Sequence, residues 1–246
     1  RKQQEEQRKQ QDDKRRKAIE DAALSAGARK VHLVENPLLA ALGARLPLSE
    51  AVGMMVVDIG GGTTEIAVMS LAGVVTWRSL DVAGEEMNKN IIQYARDNFN
   101  LLLGERIAER LKMRIGSAVE PEEPMEIEMR GRDLLSGLPK EIIINDSQIR
   151  EALARSVRTI VENIKATLET TPPELVADIY ERGIVLTGGG ALLRGMDTLI
   201  SRQAAIPVRV ADDPLTCVVR GAGLLLEDPQ LLKDISLPSA TEGSII

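Results

Sequence analysis

The stretch VVDIGGGTTEIAVM, residues 56–69, places an acid, three glycines and two threonines between two apolar runs. A glycine turn lets the backbone approach a ligand closely, and successive N–H groups in such a turn form a concavity that suits phosphate oxygens. The candidate phosphate ligands are therefore Gly60, Gly61, Gly62, Thr63 and Thr64. A plain β-hairpin with a bulge accounts for the same residues. A Walker loop is excluded, because no lysine follows the glycines before a helix.

Asp58 stands directly before this turn, at the end of the first apolar run. A carboxylate at that point can hold a metal ion, usually through water, because Mg²⁺ keeps much of its hydration shell in proteins. Asp58 is thus the candidate metal ligand of the sequence.

A second glycine turn lies in VLTGGGALL, residues 185–193. We expect Thr187 to end a strand, Gly188, Gly189 and Gly190 to turn the chain, and Ala191 to begin a helix. The helix N-terminus and the backbone N–H groups would then lie over the strand end, where an anion binds well. Simple packing between a strand and a helix also accounts for this turn, but two such turns together favour one nucleotide held from two directions.

The composition limits the class of protein. The 246 residues are 43% hydrophobic and 28% charged, which is ordinary for a globular protein, and a formal charge of -6 argues against a nucleic-acid binder. The single cysteine, Cys217, excludes an intrachain disulfide, fits a reducing compartment and is predicted to be a buried small hydrophobe. No apolar run approaches the roughly 20 residues that span a bilayer, so we expect no transmembrane segment.

The elements around the two turns predict an α/β protein with a mixed sheet. Residues 54–60, 65–70 and 73–82 read as three strands of an antiparallel meander, and later units alternate strand and helix. The stretch 89–155 carries more charge, a proline-bearing linker and its own strands, which predicts an inserted subdomain. Residues 1–17 hold only charged residues and glutamine, typical of a solvated helix extension or a disordered lead, with a partner-docking arm as the alternative.

Three local predictions complete this reading. VHLV, residues 31–34, reads as a short strand. Ser147 is expected to cap the helix that follows the strand at 140–146. Trp77 alternates with apolar neighbours and is predicted to pack inside the core or a subdomain.

The two turns and their flanks resemble the actin and heat-shock chaperone ATPase superfamily, and most closely its bacterial MreB family. DIGGGTTEIAV is similar to the second phosphate loop, and VLTGGGALL is similar to the adenosine loop. The stretches at 28–48, 104–118, 129–142, 172–200 and 206–228 extend the resemblance to nearly everything from residue 18 to residue 228. The resemblance implies an actin-like (ribonuclease H-like) fold, here mostly the second lobe with an inserted small α+β subdomain.

The resemblance also implies roles for individual residues, with ATP and Mg²⁺ as the expected cofactors. Asp58 would orient Mg²⁺ and water, and the Gly60–Thr63 turn would hold the β- and γ-phosphates. Gly188–Gly190 would pack along the adenosine and the α-phosphate. Lys112 lies in the segment that touches the adenine and ribose in relatives.

The sequence departs from the family pattern at three points. It has no counterpart of the family's N-terminal third, which carries the first phosphate loop; an aspartate-glycine-threonine loop upstream of Arg1 would restore it. Asn36 stands where MreB-like proteins usually have the glutamate that positions the attacking water, and Arg114 replaces a ribose-binding glutamate. An amide cannot accept a proton, so we expect weak nucleotide binding and poor hydrolysis.

The resemblance divides the chain into a first-lobe remnant, a second-lobe core and a returning tail. The expected bounds are 1–17 for the lead, 18–50 for the remnant, 51–88 with 156–221 for the core, 89–155 for the inserted subdomain and 222–246 for the tail.

The expected function is that of a cytoskeletal protein that forms head-to-tail filaments linked to nucleotide, maintains rod shape and guides cell-wall synthesis. Its expected partners are copies of itself and membrane-associated cell-shape proteins, in the bacterial cytoplasm and near the inner face of the membrane. A small-molecule phosphotransferase of the sugar- or acetate-kinase type is the alternative enzyme, and a nucleotide-dead, filament-capping fragment is the alternative structural role.

Overall fold

A computed structural model describes the backbone of residues 2–238 and the side chains of residue 11 and residues 13–238. The predicted tail therefore lies partly outside the described residues. The helices are α1 (Lys2–Ser25), α2 (Asn36–Gly43), α3 (Gly84–Phe99), α4 (Glu105–Ile115), α5 (Asp146–Glu169), α6 (Pro173–Arg182), α7 (Met196–Ala204), α8 (Cys217–Glu227) and α9 (Pro229–Ile235). The strands are β1 (Met54–Ile59), β2 (Thr64–Ser70), β3 (Gly73–Leu80), β4 (Leu101–Leu102), β5 (Glu126–Asp133), β6 (Pro139–Asn145), β7 (Ile184–Thr187) and β8 (Val208–Val210).

The strands form two sheets. The large sheet has the order β3-β2-β1-β7-β8, in which β1 pairs antiparallel with β2 and parallel with β7. The small sheet, β4-β5-β6, is antiparallel. The mixed sheet and its β1-β2-β3 meander confirm the α/β prediction. Of the helices within residues 2–238, none combines the length and the apolar character needed to cross a membrane.

Strand β1 is buried on both faces, and its alternating side chains point to two different cores. Met55, Val57 and Ile59 belong to the core under α3 and α5. Met54 and Val56 belong to the core under α2 and α8. Since side chains alternate along a strand, Asp58 points to the same face as Val56, toward α2. The register of β1 thus places the Asp58 carboxylate beside the helix that begins at Asn36.

Two predictions made from alternation are wrong. Trp77 lies on β3, the edge strand of the large sheet, and is 55% exposed because nothing covers that face of the strand among the described residues. The segment 31–34 forms no strand. Among the described residues its backbone makes one hydrogen bond, in which the Leu237 N–H donates to the Leu33 carbonyl at 2.8 Å. A strand needs a ladder of such bonds with a neighbour.

The cap of α5 lies two residues before the predicted one. The Asn145 side chain accepts from the Gln148 N–H at 2.9 Å, and the Gln148 side chain accepts from the Asn145 N–H at 3.0 Å. This reciprocal pair satisfies two donors at once. Ser147 therefore lies inside the first turn and is not the cap.

Helices α2 and α8 cross at two glycines that admit no side chain. A Cβ on Gly43 would lie 1.8 Å from the Cys217 carbonyl oxygen, and a Cβ on Gly221 would lie 1.9 Å from the Leu39 carbonyl oxygen. Cys217 is fully buried in this contact, as predicted. The close crossing holds α2, and with it Asn36, against the large sheet.

Replacing Gly221 by alanine is expected to lower the free energy of unfolding by about 2–3 kcal/mol, because the added methyl group overlaps backbone that cannot rotate away. Chemical denaturation of the variant measures this change. Gly223, in the same helix, has nothing within 4 Å of the position that an added Cβ would take. Gly223→Ala should leave stability unchanged or raise it by up to about 1 kcal/mol. Equal losses in the two variants would contradict the close crossing of α2 and α8.

Candidate functional site

The two glycine turns meet at the ends of β1 and β7, which are parallel neighbours in register. Asp58 pairs with Thr187 across the two strands, and the Thr187 hydroxyl donates to Asp58 Oδ1 at 2.7 Å. Gly188 has φ +80, and a Cβ there would lie 2.3 Å from the Ile59 carbonyl oxygen. A Cβ on Gly190 would lie 2.2 Å from Ile59 Cγ2. The second turn therefore packs directly on the strand end that leads into the first turn.

The N-terminus of α3 holds the first glycine turn from the other side. The Gly84 N–H donates to the Gly60 carbonyl at 3.1 Å, and the Glu85 N–H donates to the Gly61 carbonyl at 2.8 Å. Within the turn, the Gly60 N–H donates to the Thr63 carbonyl at 2.9 Å. The turn is fixed by backbone contacts, so its shape does not depend on a bound ligand.

A cavity of about 600 Å³ lies between the two turns. Gly60 and Gly61 line it from the first turn, and Gly189 and Gly190 line it from the second. Glycines let the ligand approach the backbone here, since side chains at these positions would project into or against the walls of the cleft. The geometry thus brings both predicted loops to one shared cleft.

Lys112 provides a cationic group in this cleft. Its Nζ donates to the Gly84 carbonyl at 2.9 Å and to Glu109 Oε2 at 3.0 Å, and Asn88 donates to the same Glu109 oxygen at 2.6 Å. Burial alone would raise the pKa of Glu109, but the hydrogen bonds from Asn88 and Lys112 and the charge of Lys112 outweigh it and lower that pKa. Glu109 therefore stays ionised and offsets part of the Lys112 charge.

Asn36 lies beside the carboxylates of Asp58 and Glu65, near the C-terminal end of β1. Its amide Nδ2 donates to Asp58 Oδ2 at 3.3 Å, so both Asp58 oxygens accept hydrogen bonds from the protein. Burial raises the pKa of Glu65, the neighbouring charges of Asp58 and Glu35 raise it further, and the Asn36 amide opposes them. Glu65 Oε2 is buried without a hydrogen-bond partner. Asn36 is thus an uncharged donor within a cluster of acids.

Comparison with known proteins identifies the family. The protein-family model described as MreB/Mbl protein matches residues 9–234 of this chain. The chain belongs to the MreB/Mbl family. It is 54% identical over 211 residues to the cell shape-determining protein MreB of Escherichia coli (strain K12), a match that covers 86% of this chain and 61% of that protein. Against the cell shape-determining protein Mbl of Bacillus subtilis (strain 168) it is 45% identical over 212 residues, covering 86% of this chain and 64% of Mbl.

Solved structures agree with this assignment. The crystal structure of MreB5 of Spiroplasma citri bound to ADP superposes with a TM-score of 0.85 at 37% identity, over 89% of this chain and 66% of that one. A second crystal structure of MreB5, bound to AMPPNP, gives the same figures. The fold is therefore actin-like, as predicted. The chain spans about three fifths of the length of the curated MreB relatives.

The predicted site residues differ in their exposure and in whether they line the cleft. Gly60, Gly61, Gly189, Gly190 and Lys112 line the cleft. Thr64 is buried, and its hydroxyl donates to the Val82 carbonyl at 2.7 Å. The hydroxyl proton is therefore already used in a hydrogen bond within the protein. Ala191 is also buried. Gly62 and Thr63 are exposed at the tip of the turn.

Gly188 adopts a left-handed φ value, whereas Gly60, Gly61 and Gly62 do not. One expectation about the second turn is wrong. The helix expected after the second turn is only a 3₁₀ turn, Gly189–Leu192, and α7 begins later, at Met196. A four-residue turn has too few aligned peptides for a helix dipole, so the second turn presents individual N–H groups to the cleft in place of a helix N-terminus.

The sequence reading missed several residues that line the cleft. They include Glu85, Glu109, Leu193, Arg194 and Leu215. The spacing of Glu109 and Lys112, three residues apart on one helix, indicates an ion pair and is a signal that could have pointed to Glu109. Arg114 is exposed and does not line this cleft.

The Asp58 carboxylate at the strand end suits Mg²⁺ held through water. Among the side chains that the structure describes, no three acidic, histidine or cysteine groups lie together as a metal site. Each Asp58 oxygen accepts one hydrogen bond from the protein and keeps a second lone pair. Contact through water leaves these hydrogen bonds in place and suits an ion that dehydrates reluctantly.

Proposed function

We propose that this chain forms part of a nucleotide-linked, filament-forming cell-shape protein of the MreB type. The observation that carries the proposal is the convergence of both glycine turns and Lys112 on one cleft of about 600 Å³. The names of the E. coli and B. subtilis relatives as cell shape-determining proteins support the role, and the nucleotide-bound MreB5 structures support the ligand.

In this proposal ATP lies across the cleft, with its phosphates at the Gly60–Gly61 turn and its nucleoside along Gly189 and Gly190. Lys112 attracts the negative ligand, and Asp58 orients Mg²⁺ through water. The negative charges of Glu85 and Glu109 line the same cleft and oppose a polyphosphate. We therefore expect nucleotide binding to be weak, and a micromolar affinity for ATP would count against this expectation.

Filament growth would follow from head-to-tail contact between copies of the chain, because a heterologous contact that does not close gives an open polymer. We propose that such filaments act in the bacterial cytoplasm, at the inner face of the membrane, together with membrane-associated cell-shape proteins and the machinery of cell-wall synthesis. A phosphotransferase of the sugar- or acetate-kinase type is not favoured, since the curated relatives are cell-shape proteins.

We also propose the lobe assignment of the chain. Residues 18–50 and 222–246 would belong to the first lobe, and residues 51–88 and 156–221 would form the core of the second. The small sheet falls entirely within 89–155, which supports an inserted subdomain there. Residues 239–246 of the proposed tail lie outside the described residues.

Replacing Lys112 by alanine is expected to weaken ATP and ADP binding about tenfold, because it removes a half-buried cation that lines the cleft. Isothermal titration calorimetry measures the affinity, and light scattering with ATP, AMPPNP or ADP measures assembly. The proposal requires scattering that depends on nucleotide in the wild type and falls in Lys112→Ala.

Arg110→Ala removes a positive charge from the same helix at an exposed position outside the cleft, and serves as the matched control. It should bind nucleotide within twofold of the wild type. Absence of nucleotide binding at millimolar concentration in the folded wild type, or equal losses in the two variants, would refute the proposed ligand site. Nucleotide binding without any assembly would refute filament formation alone.

A further inference from the structure

A second cavity of about 390 Å³ lies between α5, α7 and the segment that follows α4. We call it the α5–α7 pocket. Its apolar wall includes Val157, Val161 and Leu199. No residue that lines it also lines the nucleotide cleft, although Gly116 of the cleft and Ser117 of the pocket are adjacent in sequence. The pocket is therefore lined separately from the cleft.

The charged lining of the α5–α7 pocket is mostly cationic. Arg150, Arg158 and Lys165 line it from α5, at spacings that place them along one side of the helix, and Glu162 is the one acid in the lining. Between described residues, Glu162 makes no ion pair within 4.0 Å with any of the three cations, so their charges are not neutralised in the structure. The net local charge favours an anion.

Two buried donors in this lining have no hydrogen-bond partner among the residues that the structure describes. Ser117 is 1% exposed, and its Oγ makes no hydrogen bond in the structure. Arg150 Nη1 is also buried without an acceptor, while Nη2 of the same guanidinium reaches Ser147 Oγ at 3.4 Å. Buried polar groups in folded proteins are nearly always satisfied, so two unsatisfied donors at one cavity indicate a missing acceptor.

We infer that the α5–α7 pocket binds a small organic anion. The phosphate or carboxylate oxygens of that ligand accept from Arg150 Nη1 and Ser117 Oγ, with the charges of Arg158 and Lys165 nearby. Its apolar part lies on Val157, Val161 and Leu199. This inference rests on the pocket alone and does not depend on the proposed nucleotide site.

Titration with hexyl phosphate, hexanoate and hexan-1-ol tests the inference. The three probes share an apolar chain and differ in the head group, so the first two distinguish a phosphate site from a carboxylate site and the third reports apolar binding alone. We expect saturable binding of at least one anion at millimolar concentration, with shifts of backbone amide NMR signals confined to α5, α7 and residues 116–119. Hexan-1-ol should bind at least about tenfold more weakly, since it offers no charged acceptor.

Arg150→Met keeps the aliphatic length of the side chain and removes the guanidinium. It should weaken anion binding at least about tenfold, and Ser117→Ala should weaken it about fivefold. Arg155→Met changes an exposed arginine of the same helix outside the pocket and should bind within twofold of the wild type. Removing an unsatisfied donor should not lower the melting temperature, and Ser117→Ala keeps the test valid if Arg150→Met fails to fold.

Three outcomes would overturn the inference. They are the absence of saturable binding by both anions, binding of hexan-1-ol as tight as that of hexyl phosphate and hexanoate, and wild-type affinity in both Arg150→Met and Ser117→Ala. The first two would leave the pocket as an apolar seam between helices, and the third would place the anions elsewhere on the surface.

Discussion

Gly188→Ala is expected to lower the free energy of unfolding by about 2–5 kcal/mol and to abolish measurable nucleotide binding. The substitution adds a Cβ at φ +80, a left-handed conformation that costs a non-glycine residue roughly 1–2 kcal/mol. The same Cβ would lie 2.3 Å from the Ile59 carbonyl oxygen, an overlap with backbone that costs about 1–3 kcal/mol or more. To relieve it, the second turn must move away from the end of β1. Denaturant unfolding and calorimetric titration with ADP measure the two effects.

Gly62→Ala is the matched control for this variant. Gly62 also lies in a run of three glycines, but its φ is not left-handed and nothing lies within 4 Å of the position of an added Cβ. Its stability should change by less than about 0.5 kcal/mol, as for most exposed substitutions. If Gly188→Ala kept wild-type stability, or if both glycines proved equally sensitive, the packing of the second turn on β1 would be wrong.

These two glycine runs show what the sequence can and cannot predict. Both runs directly follow a stretch of mostly apolar residues, so their position at strand ends follows from hydropathy. Their convergence follows once β1 and β7 are taken as parallel neighbours, because the C-terminal ends of parallel strands share one sheet edge. The two runs have the same three residues but different backbone conformations, however, and the sequence does not distinguish them. Gly188 needs a left-handed φ and close packing, while Gly62 needs neither.

Where prediction failed, contacts seen only in the structure decided the outcome, and for two of the three cases their partners are remote in sequence. Alternation marked Trp77 as internal, but β3 is an edge strand, and edge position depends on the whole strand order. Ser147 had the right residue type for a cap, yet Asn145 and Gln148 form a reciprocal pair that satisfies more donors. Residues 31–34 had strand propensity but no neighbouring strand among residues 2–238. Propensity supplies candidates, and tertiary contacts select among them.

The partners of Asn36 also came only from the structure. The sequence marked Asn36 as a departure from the family, because an amide replaces a carboxylate. The structure adds that this amide donates to Asp58 and opposes the raised pKa of Glu65. A glutamate at position 36 would instead add a third negative charge beside those two acids. The asparagine therefore stabilises the cluster in the same place where a carboxylate would serve as a base.

The single substitution Asn36→Glu should accordingly raise the rate of ATP hydrolysis and lower the free energy of unfolding. A positioned carboxylate typically contributes 10²–10⁴ to the rate of a proton transfer, so we expect phosphate release at saturating Mg²⁺-ATP to increase about 100-fold or more. The lost hydrogen bond to the charged Asp58 and the new repulsion should lower the free energy of unfolding at pH 7 by about 2–3 kcal/mol. A phosphate-release assay and denaturant unfolding measure the two changes.

The pH dependence of the stability loss in Asn36→Glu distinguishes charge repulsion from a change in packing. In the folded variant, the negative charges of Asp58 and Glu65 raise the pKa of the new carboxyl group at position 36 above the unfolded value of about 4.3. A carboxyl group whose folded pKa is raised destabilises the protein fully above that folded pKa, and the penalty disappears below the unfolded pKa. The stability difference from the wild type should therefore shrink as the pH falls from 7 toward 4.

Asn36→Gln separates the acid from the size of the side chain, because glutamine matches glutamate in length and cannot accept a proton. It should show no increase in hydrolysis, and its stability difference from the wild type should vary little between pH 7 and pH 4. Equal rates in Asn36→Glu and Asn36→Gln would show that position 36 does not supply the base. A stability loss in Asn36→Glu that stays constant with pH would mean that packing, and not the three neighbouring carboxylates, determines its effect.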